Sequence, residues 1–390
     1  MHKYRLISKK GEGTFSEVLK AQSIKTGKYV AIKCMKNHFN SLEQVNNLRE
    51  IQALRRLSPH PHIVKLLEIL YDEPTGRLGL VFELMDLNLY EWIRGRRHYI
   101  PENKIKYHMY QLLKSIDHMH RNGIFHRDIK PENVLLIDDV LKLADFGSCR
   151  GIYSKQPYTE YISTRWYRPP ECLLTDGYYN FKMDIWGVGC VFFEVLALFP
   201  LFPGNNEMDQ IDKIHKILGV PPAELISDFQ SKAKEIDFSF PHREGTGIDK
   251  LIPQVTPLAK DLISKLLTYS AEERISARQA LKHPYFKDIR EQEQPSRVTI
   301  SPASLRTPEG DSAAGDGTEN SDGPILPPLK GPVVALPKIK KKSEVKLKNQ
   351  NSIKSISIDQ KVSPFNKKPI EVKKNYVSPY RKGIYKGGVY

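Results

Sequence analysis

The 390-residue sequence predicts an α+β fold with two lobes, a small β-rich N-terminal lobe and a larger helical C-terminal lobe, followed by a disordered tail. Three observations support this prediction. Strand patterns dominate residues 1–85, and helical periodicity dominates from there to about residue 290. After that point Ser, Pro, Gly and charged residues prevail, and such a segment buries too little apolar surface to fold. The junction between the lobes is expected near residues 83–86.

In the first lobe, RLISKKGEGTFSEVLKAQS and KYVAIKCMK predict strands around a glycine-containing turn. SLEQVNNLREIQALRRL predicts one helix, because Leu48, Ile51, Leu54 and Leu57 follow helical spacing. LGLVFELM predicts a buried strand that ends at the junction.

In the second lobe, four segments predict helices: IKYHMYQLLKSIDHMH, FKMDIWGVGCVFFEVLAL, PLAKDLISKLL and SARQALKH. We therefore predict one folded domain over residues 4–286, with its lobes at about 4–85 and 86–286. A disordered linker rich in Ser, Pro and acidic residues is predicted at 287–337, and a basic low-complexity tail at 338–390.

The composition excludes several classes of protein. The four cysteines show no CxxC spacing, which argues against a zinc site or a redox motif. No run of 18 apolar residues is present, and residues 1–20 are too polar for a secretory signal. We expect a reducing compartment, the cytoplasm or the nucleus.

The net charge of +15 is concentrated at the C-terminal end, where residues 338–390 hold 15 Lys and Arg against 3 Asp and Glu. KIKKK at 338–342 is consistent with a nuclear address, or with binding to nucleic acid or an anionic membrane. A solvated charge run without a partner is the alternative. The few aromatic residues in the tail make nucleic acid an improbable partner.

GEGTFSEV at residues 11–18 places Gly11 and Gly13 in a strand–turn–strand, where glycines let backbone N–H groups approach phosphate oxygens. Ser16 stands where a third glycine would complete G-x-G-x-x-G, and an ordinary glycine hairpin remains the alternative. VAIK at residues 30–33 follows on the next strand. Its Lys33 can reach phosphates if a carboxylate aims it, and Glu50 is the candidate; a pair that serves only solubility is the alternative.

HRDIKPEN at residues 126–133 is the most specific motif. Asp128 can accept a hydroxyl proton, Lys130 can neutralise a transferred phosphoryl group, and the Asn133 carbonyl can hold a hard cation. DFG at residues 145–147 follows twelve residues after Asn133. One carboxylate, Asp145, suits Mg²⁺, which takes one or two carboxylates plus substrate phosphates.

Together these motifs resemble those of eukaryotic protein kinases, and the match covers about residues 4–286. TEY followed by TRWYRPPE, and the stretch after DIWGVGC, are similar to the branch of MAP kinases and cyclin-dependent kinases, and SKQPYTEYISTRWYRPPE is similar to MAK/RCK-type kinases. The resemblance implies the bilobal protein kinase fold, ATP and Mg²⁺ as cosubstrate and cofactor, and protein serine/threonine kinase activity.

The resemblance also implies roles for single residues. Asp128, Lys130 and Lys33 would be catalytic, Asn133 and Asp145 would bind the metal, and Phe82 would be the gatekeeper beside the adenine. Asn88 stands where many relatives have Asp near the ribose. The residues assigned to nucleotide binding are Gly11, Gly13, Val18, Ala31, Lys33, Glu50, Glu83, Met85, Asn88, Asn133, Leu135 and Asp145.

PYTEYISTRWYRPPE lies between DFG and Glu171, where the resemblance implies an activation loop. Thr159 and Tyr161 are its predicted phosphosites, since phosphate can order a segment by pairing with arginine. The predicted phosphate acceptors are Arg49, Arg127, Arg165 and Arg168. The alternative is a loop that is ordered without phosphate. Whether Tyr161 is autophosphorylated stays open.

Glu171 is expected to pair with Arg274 of AEERISA and so to tie the end of the loop to the helical lobe; a surface salt bridge is the alternative.

Protein substrates are implied, an upstream activating kinase is conceivable, and nothing points to an oligomer. Two competing functions, a pseudokinase scaffold and a nucleic-acid-binding protein, have less support. The first would need a broken catalytic group, and the second rests only on the tail. The resemblance adds the cilium to the cytoplasm and nucleus as a compartment.

Overall fold

The computed structural model describes residues 3–158 and 164–293. They form the two predicted lobes, a β-sheet lobe and a helical lobe, which confirms the predicted fold class. The predicted linker and basic tail beyond residue 293 and the phosphosites Thr159 and Tyr161 lie outside the described residues. Among the described helices, none is long and apolar enough to cross a membrane.

The N-terminal lobe is a five-stranded antiparallel sheet with strand order β1-β2-β3-β5-β4. The strands are β1 (Tyr4–Glu12), β2 (Ser16–Ser23), β3 (Tyr29–Met35), β4 (Leu66–Asp72) and β5 (Arg77–Glu83). Gly13 donates its backbone N–H to the Ser16 carbonyl at 2.8 Å and closes the turn between β1 and β2. The sheet therefore presents the glycine-containing turn at one end, as the sequence predicted.

The predicted single helix in this lobe is wrong, because the chain forms two helices, α1 (Leu42–Asn46) and α2 (Arg49–Leu57). Leu48 between them is extended, with φ −61° and ψ 129°. Asparagine side chains compete with helical hydrogen bonds, and two of them precede Leu48. The freed Asn46 carbonyl accepts a hydrogen bond from the Gln52 side chain at 3.0 Å, which stabilises the break.

The C-terminal lobe is built around α4 (Glu102–Arg121) and α6 (Lys182–Ala197), and α6 is buried on every side, as expected for a helix that is apolar all round. Tyr167 hydrogen-bonds Glu194 within this core at 2.7 Å, so the buried carboxylate has a partner. The helices are α3 (Leu89–Ile93), α4 (Glu102–Arg121), α5 (Pro170–Leu173), α6 (Lys182–Ala197), α7 (Glu207–Leu218), α8 (Ala223–Ser231), α9 (Pro257–Leu266), α10 (Ala277–Leu281) and α11 (Lys287–Glu293).

Short strands bring the sequence motifs to the junction between the lobes. A three-stranded sheet of order β6-β8-β9 carries the segments after HRD and before DFG, and a two-stranded sheet pairs β10 with β7. Their bounds are β6 (Leu87–Asn88), β7 (Ile124–Phe125), β8 (Val134–Ile137), β9 (Val140–Leu143) and β10 (Arg150–Gly151). The motifs thus meet under the N-terminal sheet.

The predicted disordered linker is wrong for residues 287–293, which form α11. This helix packs on α4: Lys106 pairs with Asp288 at 2.9 Å, and Glu293 accepts hydrogen bonds from Lys114 at 2.8 Å and from the Tyr110 hydroxyl at 3.0 Å. Ile289 is buried beneath it. The polar composition of the segment concealed this single apolar anchor.

Candidate active site

The glycine-containing turn leaves open space above the cleft. A Cβ added at Gly11 would meet nothing within 4 Å, and one at Gly13 would meet only the Ser16 carbonyl at 3.6 Å. Internal packing therefore does not require either glycine. Residues without side chains at these positions suit a group that lies close to the backbone, such as the phosphates of a nucleotide.

Lys33 on β3 lies between two carboxylates from distant parts of the chain. Its Nζ contacts Glu50 on α2 at 2.8 and 2.9 Å and Asp145 of DFG at 2.9 Å. Burial opposes the charge on Lys33, but Glu50 and Asp145 outweigh it and raise the pKa of Lys33. The predicted ion pair of Lys33 and Glu50 is present, and with Glu50 buried it is more than a solubility feature.

The contacts among Lys33, Glu50 and Asp145 also shift the pKa values of the two carboxyl groups. Burial raises the pKa of Glu50, and the opposing effect of Lys33 does not cancel it. For Asp145, the effect of burial is overcome by the Lys33 ammonium, which lowers its pKa. The Asp145 side chain remains 47% exposed. At neutral pH the site holds an anionic carboxylate that faces the cleft beside a fixed ammonium.

Asp128, Lys130 and Asn133 form a second polar cluster. Lys130 Nζ contacts Asp128 Oδ2 at 2.9 Å, and Asn133 Nδ2 donates to Asp128 Oδ2 at 3.0 Å and to the Asp128 carbonyl at 2.8 Å. The ammonium and the amide therefore fix the orientation of the Asp128 carboxylate. Burial would lower the pKa of Lys130, but Asp128 outweighs burial and raises it, so the Lys130 ammonium stays charged.

The HRD and DFG segments are bound directly to each other. The Asn133 carbonyl accepts the Ala144 N–H at 2.9 Å, and His126 Nε2 lies 3.0 Å from the Ala144 carbonyl. The rings of His126 and Phe146 meet edge to face, with centroids 5.3 Å apart. These contacts place the two metal-ligand candidates, Asn133 and Asp145, side by side.

Asp184 is a residue that sequence reasoning missed. Fully buried on α6, its carboxylate accepts the backbone N–H groups of His126 and Arg127 at 2.8 Å each, and His120 Nε2 lies 2.9 Å from it. Arg127 has φ +72°, a strained value for a residue with a side chain. Asp184 thus holds the HRD segment in shape, and the acidic residue inside the apolar run MDIWGVG was the available signal.

The segment at the lobe junction, residues 83–86, contains a side chain that is bound within the protein and, among the described residues, backbone groups that form no hydrogen bond. Phe82 is buried, and Glu83 contacts Lys142 Nζ at 2.8 and 3.0 Å and accepts the Lys65 N–H at 2.7 Å. Within the described residues, no hydrogen bond is formed by the Met85 backbone. Its N–H and carbonyl remain available to the edge of a base.

Asn88 has a structural role that the sequence analysis did not predict. Its Oδ1 accepts the Glu91 N–H at 2.8 Å, and Glu91 accepts the Asn88 N–H at 3.0 Å, so the pair forms a capping box at the start of α3. Leu135 pairs with Asn88 across β6 and β8, while Ala31 and Val18 lie on β3 and β2 above the cleft.

A cluster of arginines lies beside the DFG segment. Arg49 of α2, Arg127 of HRD and Arg150 of β10 come from three elements, and burial together with Arg150 lowers the pKa of both Arg49 and Arg127. Within the described residues none of the three forms an ion pair, and the buried Nε and Nη1 of Arg127 have no hydrogen-bond partner. Arg150 was missed in the sequence, where the signal is a basic residue three positions after DFG.

The other predicted phosphate acceptors point towards α7. Arg165 donates to the Asn205 carbonyl at 3.1 Å, and Arg168 lies 3.6 Å from Glu207. Arg165 is therefore held away from the cluster around Arg127, whereas Arg168 shares Cys172 and Tyr179 as neighbours with Arg127. The residues that precede the phosphosites end at Tyr158, whose ring lies 5.9 Å from the Arg127 guanidinium.

Glu171 and Arg274 form the predicted pair, and it is buried. Arg274 Nη1 and Nη2 contact the two carboxylate oxygens at 2.8 and 3.1 Å, with side chains 0% and 5% exposed for Arg274 and Glu171. A surface salt bridge, the alternative reading, is therefore excluded. The pair joins the end of the TRWYRPPE stretch to the C-terminal lobe.

The residues present fit a nucleotide and Mg²⁺. The side-chain Nδ2 of Asn133 donates to Asp128. Asn133 Oδ1 is therefore left as a ligand next to the partly exposed Asp145 carboxylate. Among the described residues no cluster of three or more His, Cys, Asp and Glu could hold a metal on its own. Mg²⁺ instead prefers one or two protein oxygens plus phosphates, and this is the donor set available.

Comparison with known proteins gives a consistent result. A family profile for the protein kinase domain matches residues 4–286. The chain is 58% identical over 293 residues to the human MAPK/MAK/MRK overlapping kinase, a match that covers 75% of this chain and 70% of that protein. It is 59% identical over 287 residues to the mouse protein of that name, with 74% and 68% covered.

More distant similarity extends to the mouse serine/threonine-protein kinase ICK, 42% identical over 288 residues, and to the human serine/threonine-protein kinase MAK, 40% identical over 288 residues. These matches cover 74% of this chain and 45% and 46% of those proteins. The resemblance to MAK/RCK-type kinases, and within them to MAPK/MAK/MRK overlapping kinase, is confirmed.

Proposed function

This chain belongs to the protein kinase family and is an ATP-dependent protein serine/threonine kinase, and we propose that phosphorylation of Thr159 and Tyr161 switches its activity. The observation that carries the catalytic assignment is the convergence on one cleft of three segments: β3 with Lys33, the HRD segment with Asp128 and Asn133, and DFG with Asp145. Its protein substrates receive the γ-phosphate of ATP on serine or threonine hydroxyls.

The residues of the cleft have separate tasks in this proposal. Asp128, oriented by Lys130 and Asn133, accepts a hydrogen bond from the substrate hydroxyl and aims its oxygen at the phosphoryl group. Lys33 holds the α- and β-phosphates, and Lys130 offsets charge on the transferred group. The Met85 backbone binds the adenine edge, with Phe82 behind it.

Mg²⁺, when bound by Asp145 and Asn133, neutralises charge on the phosphate oxygens. The Lys33 ammonium, which Glu50 holds from the other side, keeps the Asp145 carboxylate anionic and oriented for this task. The chain's own contribution is therefore positioning and electrostatic preorganisation, which is how protein kinases accelerate phosphoryl transfer.

The direct test is phosphate transfer by the purified full-length protein. With ATP and Mg²⁺ we expect labelling of a generic basic protein, and acid hydrolysis of the product should release phosphoserine and phosphothreonine. The labelling should disappear when Mg²⁺ is chelated. Product that contains phosphotyrosine alone, or no labelled acceptor across several basic proteins, would contradict the assignment.

The proposed switch rests on the arginine cluster beside DFG. Three guanidiniums without a carboxylate partner in the described part of the chain repel one another, and a phosphate would neutralise them with charge-assisted hydrogen bonds. Thr159 follows directly on Tyr158, whose ring is in contact with Arg127.

Replacing both phosphosites, in Thr159→Ala/Tyr161→Phe, should lower kcat/KM for a protein substrate by about 10- to 100-fold relative to the phosphorylated wild type. The reason is that the arginines then lack the anion that orders the loop. The measurement compares both proteins before and after phosphatase treatment, which should affect only the wild type. Full wild-type turnover in the variant would favour the alternative, a loop that is ordered without phosphate.

Arg150→Gln should reduce the gain from loop phosphorylation about 3- to 10-fold, because one of the three phosphate partners is lost. Activity of the dephosphorylated protein should stay unchanged. Arg165→Gln is the matched control, since its guanidinium is held by the Asn205 carbonyl. Equal losses in the two variants would show that Arg150 has no special part in the switch.

Further aspects of the proposal extend to partners and location. Arg168 and the WYRPP stretch are similar to those of kinases that favour proline after the target residue, and we extend that preference to this chain. An upstream kinase is a candidate activator, alongside autophosphorylation at Tyr161.

The basic tail and the resemblance to MAK-type kinases support the cytoplasm and nucleus, with the cilium as a further site. Nucleic acid is not a proposed partner.

A further inference from the structure

A short basic loop between α3 and α4 is not used by the catalytic site. Residues 94–98 read RGRRH, and Arg94, Arg96, Arg97 and His98 are all exposed. We call these five residues the arginine loop. Three guanidiniums within four positions repel one another unless anions surround them. The contacts of these side chains within the protein therefore indicate whether the loop is a solvated surface or a binding site.

The arginine loop is fixed in place by its flanks. Ile93 before it and Ile100 after it are 4% and 5% exposed and belong to the main core. Gly95 has φ +72°, which lets the chain turn sharply between the arginines. Arg94 donates its backbone N–H to the Tyr90 carbonyl at 3.0 Å. A ligand of this loop would meet a preformed surface, which lowers the entropy cost of binding.

Two of the three guanidiniums lie over aromatic rings, and Arg96 Nε also donates to the Trp92 carbonyl. Arg94 lies over the Tyr90 ring at 5.8 Å and Arg96 over the Trp92 ring at 5.6 Å. In the part of the chain that the structure describes, no ion pair includes any of the three arginines, whereas nearby Lys104 pairs with Asp139 at 3.0 Å. Within the described residues, the positive charges of the three arginines are therefore not neutralised by a carboxylate, whereas the charge of Lys104 is neutralised by Asp139.

The loop also lies close to the cleft. Asn88, which caps α3, comes three residues after Met85, and a five-residue helix such as α3 is only about 7.5 Å long. The loop therefore lies beyond the nucleotide end of the cleft, where it can be reached by a part of a protein substrate distant in sequence from the target hydroxyl. The small extent of the charge suits a short peptide better than a nucleic acid backbone or a membrane surface, which need a wider basic face.

We propose that the arginine loop is a docking site for an acidic stretch of the protein substrate, which its guanidiniums bind through bidentate contacts with carboxylates. This inference rests on the proposed kinase function and adds a substrate class to it. Substrates with Asp or Glu residues outside the target sequence are preferred, and the preference weakens as salt screens the exposed charges.

The test compares two peptides with the same target serine, one extended by alternating Glu and Gly and the other by alternating Gln and Gly. For the phosphorylated full-length protein at low salt, the acidic extension should lower KM about tenfold and leave kcat unchanged. Arg94→Gln/Arg96→Gln/Arg97→Gln should abolish this difference and keep wild-type kcat/KM for the Gln-extended peptide. Its melting temperature should match the wild type, because the side chains are exposed.

The matched control is Lys338→Gln/Lys340→Gln/Lys341→Gln, which removes three positive charges from the basic tail and should keep the tenfold difference. Loss of the difference in this variant, or its persistence in the arginine-loop variant, would overturn the proposal. So would an arginine-loop variant that loses binding to single-stranded RNA or phosphatidylserine vesicles but keeps the peptide preference.

A second measurement separates docking from catalysis. Fluorescence anisotropy with a labelled Glu-Gly peptide that lacks hydroxyl residues reports binding even if no phosphate is transferred. The wild type and the tail variant should bind this peptide more tightly than the arginine-loop variant. If no phosphate is transferred but this binding difference persists, the kinase assignment is wrong and the docking site is retained. If all three proteins bind the peptide equally, the docking site is refuted and the kinase assignment is unaffected.

Discussion

Asp145→Asn is expected to lower kcat/KM for protein phosphorylation by about 10²- to 10³-fold, the largest loss among the substitutions considered. The asparagine keeps the shape of the side chain but removes the partly exposed carboxylate that DFG places next to Asn133. A metal ion beside ATP then loses its anionic ligand, and each tenfold loss of rate corresponds to about 1.4 kcal/mol of transition-state stabilisation.

The measurement is a steady-state phosphorylation assay across a range of Mg²⁺ concentrations, in which the variant should need more metal and still not reach wild-type kcat. Asp228→Asn is the matched control, since Asp228 lies on α8 and pairs with Lys232 at 2.7 Å on the surface of the protein. Both variants should melt within about 2 °C of the wild type. Activity of Asp145→Asn above half of the wild-type value would refute the assigned role.

Arg274→Ala is expected to destabilise the protein by about 3 to 5 kcal/mol, because it leaves the buried carboxylate of Glu171 without its partner. All five N–H groups of Arg274 are used: two contact Glu171, and the others donate to the carbonyls of Thr268, Tyr269 and Lys182. The guanidinium also lies 5.1 Å from the Trp186 ring centroid. The substitution therefore removes five hydrogen bonds and opens a cavity.

For a domain of this size the loss corresponds to a fall in melting temperature of about 5 to 8 °C, measurable by differential scanning fluorimetry. Arg278→Ala on α10 is the control, since Arg278 is exposed and should shift the temperature by less than about 2 °C. Glu171→Gln/Arg274→Met should be milder than Arg274→Ala, because no buried charge remains unpaired. Equal shifts in the three variants would contradict this account.

Several parts of the fold could be predicted from local sequence because their signal is local. The apolar segment of α6 depends on periodicity within a single stretch and formed as predicted, and the strand predicted over LGLVFELM formed as well, although it ends at Glu83. The break between α1 and α2 could not be read in this way. Helical spacing continues through Leu48, and the extended backbone there is stabilised by Gln52 and by packing against the core, which are contacts outside the local pattern.

The motifs GEGTFSEV, VAIK, HRDIKPEN and DFG identify the groups that handle phosphate, metal and hydroxyl, and these can be recognised without a structure. The groups that support them become visible only in the folded chain. Asp184 lies 57 residues from Arg127 along the chain, yet its carboxylate shapes the HRD segment. Arg150 joins Arg49 and Arg127 only because β10 pairs with β7. The physical reason is that a motif encodes the identity of reactive atoms, whereas burial, pairing and unneutralised charge arise only when distant segments pack together.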